Sequence, residues 1–209
     1  VVAGTYTVTI SDANSCTSTS SVTITEPAAL SSSSAVTTNI SCNGGSNGSA
    51  TASATGGTTP YTYVWSNAAT TASITGVVAG TYTVTISDAN SCTSSSSVTI
   101  TEPAALSSSA AVTANISCNG GSNGSATASA TGGTTPYTYL WSNAATTASI
   151  TGVIAGTHTV TVTDGNNCVS TANITITEPS LLISSIIISS CNSYTWNQNN
   201  MTYTTSGAY

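Results

Sequence analysis

The chain has 209 residues, no lysine, no arginine, six acidic residues and one histidine, for a formal charge of −6 at pH 7. Without basic side chains it forms no Lys or Arg ion pairs and cannot neutralise phosphates by counterion release, which argues against nucleic-acid or anionic-membrane partners. Only 3% of residues are charged, so charge-driven disorder is a poor description, and solubility falls to Ser, Thr, Asn and Gly.

In chain order, the first strand signal is GTYTVTISDANSC, Gly4 to Cys16, followed by a second alternating run that ends in TEP at Pro27. Strands are then predicted near 29–41, 48–55, 60–66, 71–76, 80–87 and 93–101. In the second of these, Ala50, Ala52 and Ala54 share one face, and small side chains there leave room for bulky ones opposite. In the third, Tyr61, Tyr63 and Trp65 share a face. In the fifth, Tyr82, Val84 and Ile86 point one way while Thr81, Thr83, Thr85 and Ser87 point to water, a half-buried strand. Val98 and Ile100 alternate in the same manner. Turn signals separate the runs: Asn43-Gly44-Gly45, Gly56-Gly57 before Pro60, and Asp88-Ala89-Asn90. No helical period stands out, and no apolar run has spanning length; LLISSIIIS from Leu181 is short and broken by serines.

The pattern then recurs. Cys16, Cys92 and Cys168 fall 76 residues apart, as do Cys42 and Cys118, and Trp65 and Trp141. The expected division is therefore 1–27 as the tail of one module, 28–103 and 104–179 as complete modules, and 180–209 as the start of a different one. Between 28–76 and 104–152 only Ser34/Ala110, Thr38/Ala114 and Val64/Leu140 differ. A 76-residue period exceeds a solenoid coil and suits a small sandwich repeated like beads. The fold class predicted is all-β, tandem immunoglobulin-like β-sandwiches. Trp65 and Trp141 are central core residues, with Val84 and Ile86, and Tyr82 stands where a tyrosine corner is expected. Val1 falls inside a repeat and Tyr209 inside the phrase TYTTSGAY, so the sequence reads as a window on a longer protein.

Six cysteines without a CxxC pair point to disulfides and an oxidising compartment. The pairing expected is within modules, Cys42–Cys92 and Cys118–Cys168, leaving Cys16 and Cys191 to partners outside the window. The rival is Cys16–Cys42, Cys92–Cys118 and Cys168–Cys191, which staples modules together. The intramodule choice carries a conflict: if 29–41 is a true strand, Cys42 lies at the opposite end from the turn that holds Cys92.

No candidate site has more than a bland reading in its favour. His158 replaces Tyr6 and Tyr82 at one point of the repeat, and a packing substitution explains it better than a ligand or general base. Asp12/Asn14, Asp88/Asn90 and Asp164/Asn166 offer too few carboxylates for a calcium site, which needs six to eight oxygens, and read as hydrogen-bonded turns. Asn39, Asn47, Asn115, Asn123, Asn173 and Asn200 occupy sequons that chance explains in a Ser/Thr-rich chain. The threonine rows read as solvated strand faces rather than an ice-binding array, and the Tyr61/Tyr63/Trp65 face as core rather than a sugar platform. No catalytic residue, cofactor or metal is assigned.

The phrases SCNGGSNGSATASATGG, TPYTYVWSNAATTASITG, AGTYTVTISDANSC and VTITEP resemble the SprB repeat family of Bacteroidetes surface proteins, named for a gliding-motility adhesin. They cover essentially all of 28–179 in family order, plus the tail at 1–27. The last stretch, SCNSYTWNQNNMTYTTSGAY, resembles a second surface module that opens with a Cys-x-Ser-Tyr-Thr-Trp phrase. The resemblance implies export by the type IX route, extracellular display, and a structural role as stalk or adhesive filament, with no catalysis. The partners implied are neighbouring modules, other copies in a fibre, or surface glycans and substrata. The alternatives are a self-assembling fibre or sheath subunit, and a sugar-binding or spacer module of a secreted hydrolase.

Overall fold

The computed structural model describes residues 1–183, 194–196 and 201–203. All regular structure among them is β. A hairpin comes first, β1 (Gly4–Ser11) and β2 (Thr17–Ile24). The first full repeat holds β3 (Ser31–Thr38), β4 (Gly48–Thr55), β5 (Thr62–Trp65), β6 (Ser73–Val77), β7 (Gly80–Ser87) and β8 (Thr93–Ile100). The second holds β9 (Ser107–Ala114), β10 (Gly124–Thr131), β11 (Thr138–Trp141), β12 (Ser149–Val153), β13 (Gly156–Thr163) and β14 (Val169–Ile176). Beyond it, β15 (Tyr194–Trp196) pairs antiparallel with β16 (Met201–Tyr203). No helix among the described residues is long and apolar enough to cross a membrane.

The chain divides into two compact units. One contains Val1–Ser108, Ala130–Tyr139 and Thr161–Thr171; the other contains Ser109–Ser129, Leu140–Val160 and Ala172–Tyr209. Each repeat builds two three-stranded sheets, ordered β3-β4-β6 and β5-β7-β8 in the first, and β9-β10-β12 and β11-β13-β14 in the second. Read as immunoglobulin strands, these are A-B-E against C-F-G, the immunoglobulin-like arrangement without strand D.

Period-two patterning puts one residue in two inside each sandwich. In the first repeat Ile40, Ala50, Ala52, Trp65, Ile74, Val84, Ile86, Val98 and Ile100 form a single buried cluster. The alanines of β4 are what let a sandwich of this size hold Trp65, which is 2% exposed. The Trp65 indole N–H would be costly to bury alone, and it donates to the Thr71 carbonyl at 2.9 Å. Trp141 repeats this with Thr147 at 3.0 Å.

The two sheets of the first repeat meet along β3 and β8, where the Ser32 amide donates to Ser94 Oγ at 3.1 Å and the two hydroxyls lie 2.9 Å apart. The other edges, β5 and β6, are only four and five residues long. Two hydroxyls inside this repeat, those of Ser34 and Ser96, are buried without a hydrogen-bond partner.

The hairpin β1–β2 has the register of β7–β8: Gly4 faces Ile24 as Gly80 faces Ile100. Its apolar face is open, with Val8 55% and Ile10 65% exposed where Val84 and Ile86 are 0%.

Candidate functional site

Two local devices recur in the repeats, and a third feature, a disulfide, occurs once among the described residues. The first lies at the start of β7. Tyr82 packs partly buried against the core, and its hydroxyl donates to the Val78 carbonyl at 3.0 Å, four residues upstream. Tyr6 donates to the Val2 carbonyl at 2.8 Å. In the third copy His158, 9% exposed, sets Nε2 at 3.0 Å from the Ile154 carbonyl. A carbonyl only accepts, so Nε2 carries the proton, and the imidazole does the work of the phenol.

The second device is the turn after β7. Asp88 Oδ1 accepts the amides of Asn90 at 2.9 Å and Cys92 at 2.8 Å, and Oδ2 accepts that of Thr58 at 2.9 Å. The backbone closes the turn, with the Ser91 amide on the Asp88 carbonyl and the Asp88 amide on the Cys92 carbonyl, both at 3.0 Å. These donors, that of Thr58 foremost, hold the Asp88 carboxyl below its ordinary 3.8 against the opposing pull of burial. For Asp164 burial is the largest single influence and pushes upward. The amides of Thr134, Cys168 and Asn166 together outweigh it, so its carboxyl also lies below 3.8. Gly57 supports this arrangement: at φ +61°, a Cβ there would sit 2.8 Å from Asp88 Oδ2. With their oxygens occupied by amides, these carboxylates are turn formers. Among the described residues no three His, Cys, Asp or Glu side chains group to hold a metal.

The third device is the disulfide, and here the structure corrects the expected pairing. Cys42 is bonded to Cys168 of the next repeat, with Cα atoms 5.7 Å apart and a sequence separation of 126. Cys16, Cys92 and Cys118 are exposed free thiols, so neither Cys42–Cys92 nor Cys118–Cys168 forms, and the rival bonds Cys16–Cys42 and Cys92–Cys118 are absent as well. Cys191, like the Asn200 sequon, lies outside the described residues. The reason is the conflict noted in the sequence. Cys42 follows β3 and lies where β8 ends: the Ile40 amide donates to the Thr101 carbonyl at 2.9 Å, and the Gly44 amide to Glu102 Oε2 at 2.7 Å. Cys92 precedes β8, so the two sit about 30 Å apart along an eight-residue strand.

The chain leaving β8 instead brings the next Asp-x-Asn-x-Cys turn to Cys42. Both cysteines belong to the same compact unit. Asn43 Nδ2 donates to the Pro103 carbonyl at 3.1 Å, which holds the loop against the departing strand. The Gly133 amide donates to the Ala104 carbonyl at 2.8 Å, which fixes the start of the following repeat. Asn166 Nδ2 then donates both to Thr134 Oγ1 at 3.1 Å and to the Ser41 carbonyl at 2.9 Å. A cleft of about 290 Å³ beside the disulfide is lined by Cys42, Asn43, Ala105, Leu106, Cys168 and Val169. Sequence reasoning missed Ser41 and Asn166 as partners across the repeat boundary. The signal was the position of Cys42 beyond the strand.

The other candidates have structural places. Asn39 Oδ1 accepts the Thr101 amide at 2.9 Å, and Asn115 Oδ1 the Thr177 amide at 3.0 Å. Asn47 and Asn123 bond Ser41 and Ser117 through both amide atoms. Tyr61 and Tyr63 are partly buried against the core beside Trp65, and Thr81, Thr83 and Thr85 bond Thr99, Ser97 and Ser95 across β7–β8.

The geometry defines a tandem array of immunoglobulin-like β-sandwiches. The SprB repeat family matches residues 34–70 and 110–146, one segment in each full repeat: both are SprB repeats. No curated protein matches the chain. Among solved structures, the three N-terminal domains of the bacteriophage RB49 outer capsid protein Hoc are 20% identical, with 71% of this chain and 58% of that one covered and a TM-score of 0.42. A tetra-tandem repeat from the extending region of a large adhesion protein is 19% identical over 84% of this chain and 57% of that one, with a TM-score of 0.25. A 282-residue C-terminal fragment of intimin, solved with the intimin-binding domain of its translocated receptor, is 16% identical over 88% and 59%, with a TM-score of 0.31. The chain thus spans less than two thirds of each of these solved chains.

Proposed function

We propose that this segment is a load-bearing spacer in the stalk of an exported cell-surface adhesin, contributing length and durability while ligand contact is made elsewhere. The observation that carries the reading is the disulfide from one SprB repeat to the next. A covalent bond between neighbouring repeats resists their separation, which suits a spacer under tension. The free-thiol chemistry needed to form such a bond belongs to an oxidising, extracellular setting. Export by the type IX route and service in gliding or attachment are the finer form of this proposal, supported by the SprB resemblance.

Lateral assembly into a fibre has less support. The absence of lysine leaves sheet edges without their usual guard, but β3 and β8 cover one another and the remaining edges are short. A sugar-stacking role has none from Trp65, which is buried.

The test uses intact producing cells and the purified chain. Antibodies to the segment should label the cell surface, and excess purified segment should leave cell attachment unchanged. Labelling confined to lysed cells would overturn the extracellular reading, and competition for attachment would overturn the spacer reading.

A further inference from the structure

We infer that Asn43 and Asn119 are sites of self-modification: each is converted to aspartate and isoaspartate through a cyclic imide formed with the next glycine, and Glu102 and Glu178 serve as the general bases.

Four Asn-Gly pairs stand in the chain, at 43–44, 47–48, 119–120 and 123–124. Glycine leaves its own amide nitrogen unshielded, so in such a pair that nitrogen reaches the asparagine side chain most easily. The fold treats the pairs in opposite ways. Asn43 and Gly44 are exposed, Gly44 has φ +75°, and a Cβ on it would meet nothing within 4 Å. The loop thus has room to turn as the ring closes. The Gly44 amide donates to Glu102 Oε2 at 2.7 Å, so the proton that must leave before the nitrogen attacks already points at a carboxylate. Asn119, Gly120 and Glu178 repeat the arrangement at the same 2.7 Å.

Asn47-Gly48 is the reverse case. Gly48 is buried at the start of β4, where a Cβ would sit 2.8 Å from Ile100 and 2.9 Å from Ile40. Asn47 is held at both ends of its amide: Oδ1 accepts the Ser41 amide at 3.1 Å, and Nδ2 donates to Ser41 Oγ at 2.6 Å. Neither the nitrogen nor the side chain is free to swing toward the other. Asn123-Gly124 is locked in the same way, by Ser117 on the asparagine and by Ile176 and Ile116 around the glycine.

The step balances without an oxidant. Glu102 takes the Gly44 amide proton, the nitrogen's electron pair forms a bond to Asn43 Cγ, and the Cγ–Nδ2 bond breaks. The leaving nitrogen takes that proton and departs as ammonia. Water then opens the imide at one carbonyl or the other, which leaves aspartate or isoaspartate. Either product loses the Nδ2 donor that holds the loop to the Pro103 carbonyl at 3.1 Å, and a carboxylate cannot replace it because it only accepts. The isoaspartate form also adds a carbon to the main chain beside Cys42. The modification therefore loosens the loop from the strand leaving the repeat, and it accumulates with time and without an enzyme. It stands whether or not the array serves as an exported stalk.

The test ages the purified full chain at neutral pH and maps its peptides by mass spectrometry after reduction, with isoaspartate read by methyltransferase labelling. Asn43 and Asn119 should gain the mass of an amide turned acid, while Asn47 and Asn123 stay intact. Glu102→Gln keeps an acceptor for the Gly44 amide but removes the base. It should slow conversion of Asn43 about a hundredfold, the low end of what a positioned base contributes, and leave Asn119 of the same molecule unchanged. Glu178→Gln should do the opposite. In urea all four pairs should convert alike, a pattern that also identifies any variant that has failed to fold. Conversion of Asn47 as fast as Asn43 in the folded chain, or a Glu102→Gln rate at Asn43 equal to or above that of the unaltered chain, would overturn the proposal.

Discussion

Reduction of the Cys42–Cys168 bond should change the mechanical length of the chain by a calculable amount. Pulled from its ends, the oxidised chain extends only from Val1 to Cys42 and from Cys168 to Tyr209. The 126-residue separation between the cysteines stays locked, about 430 Å of contour at roughly 3.4 Å per residue. Single-molecule stretching in the presence of a thiol reductant should release that length, and stretching of the oxidised chain should never reach it. The intramodule pairing would instead lock two loops of 50 residues, about 340 Å released in two equal steps. Chain entropy for a loop of 126 residues also gives about 5 kcal/mol of stabilisation, an upper figure because each repeat keeps its own core after reduction. Asp-specific cleavage of the unreduced chain provides a second readout. The cuts fall before Asp12, Asp88 and Asp164, so Cys42–Cys168 ties the 12–87 peptide to the C-terminal one, whereas Cys42–Cys92 would tie it to 88–163. A release near 340 Å, or a 12–87/88–163 pair, would refute the assignment.

Replacing Trp65 by alanine empties the centre of the first repeat and should cost about 3–5 kcal/mol in urea unfolding, with Trp141→Ala similar in its own repeat. A loss under about 1 kcal/mol would show that the sandwich does not depend on the indole. The buried, unpartnered Ser34 and Ser96 correspond to Ala110 and Ala172 in the second repeat, so Ser34→Ala with Ser96→Ala should leave stability unchanged or raise it by about 1 kcal/mol; a marked loss would reveal an unseen partner for these hydroxyls. Acid should act through Asp88 and Asp164. Their depressed carboxyls favour the folded state in full above the ordinary value of 3.8, and that contribution is lost as pH falls from there through the folded pKa values. Thermal midpoints should therefore drop below about pH 4, and Asp88→Asn with Asp164→Asn should flatten the dependence; an unchanged slope in the double variant would discount the turns.

Much of this fold was legible because period two survives in a sequence with few large apolar residues. The alternation of Tyr82, Val84 and Ile86, the turn signals at Gly56-Gly57 and Asp88, and the 76-residue repeat are local properties, and each maps onto a strand or bend. The disulfide was less legible. Spacing in sequence cannot tell a neighbour across a sandwich from a neighbour across a repeat boundary. The pairing depended on which end of β3 bears Cys42, and the repeat frame itself favoured the wrong partner.

A break in the backbone anywhere between Cys42 and Cys168 would leave the two pieces covalently joined, because the sulfur bridge bypasses the whole intervening stretch. Where every junction is built this way, successive bypasses overlap. A single proteolytic cut between Cys118 and Cys168 then falls under two of them, so continuity along the array would not rest on any one peptide bond there.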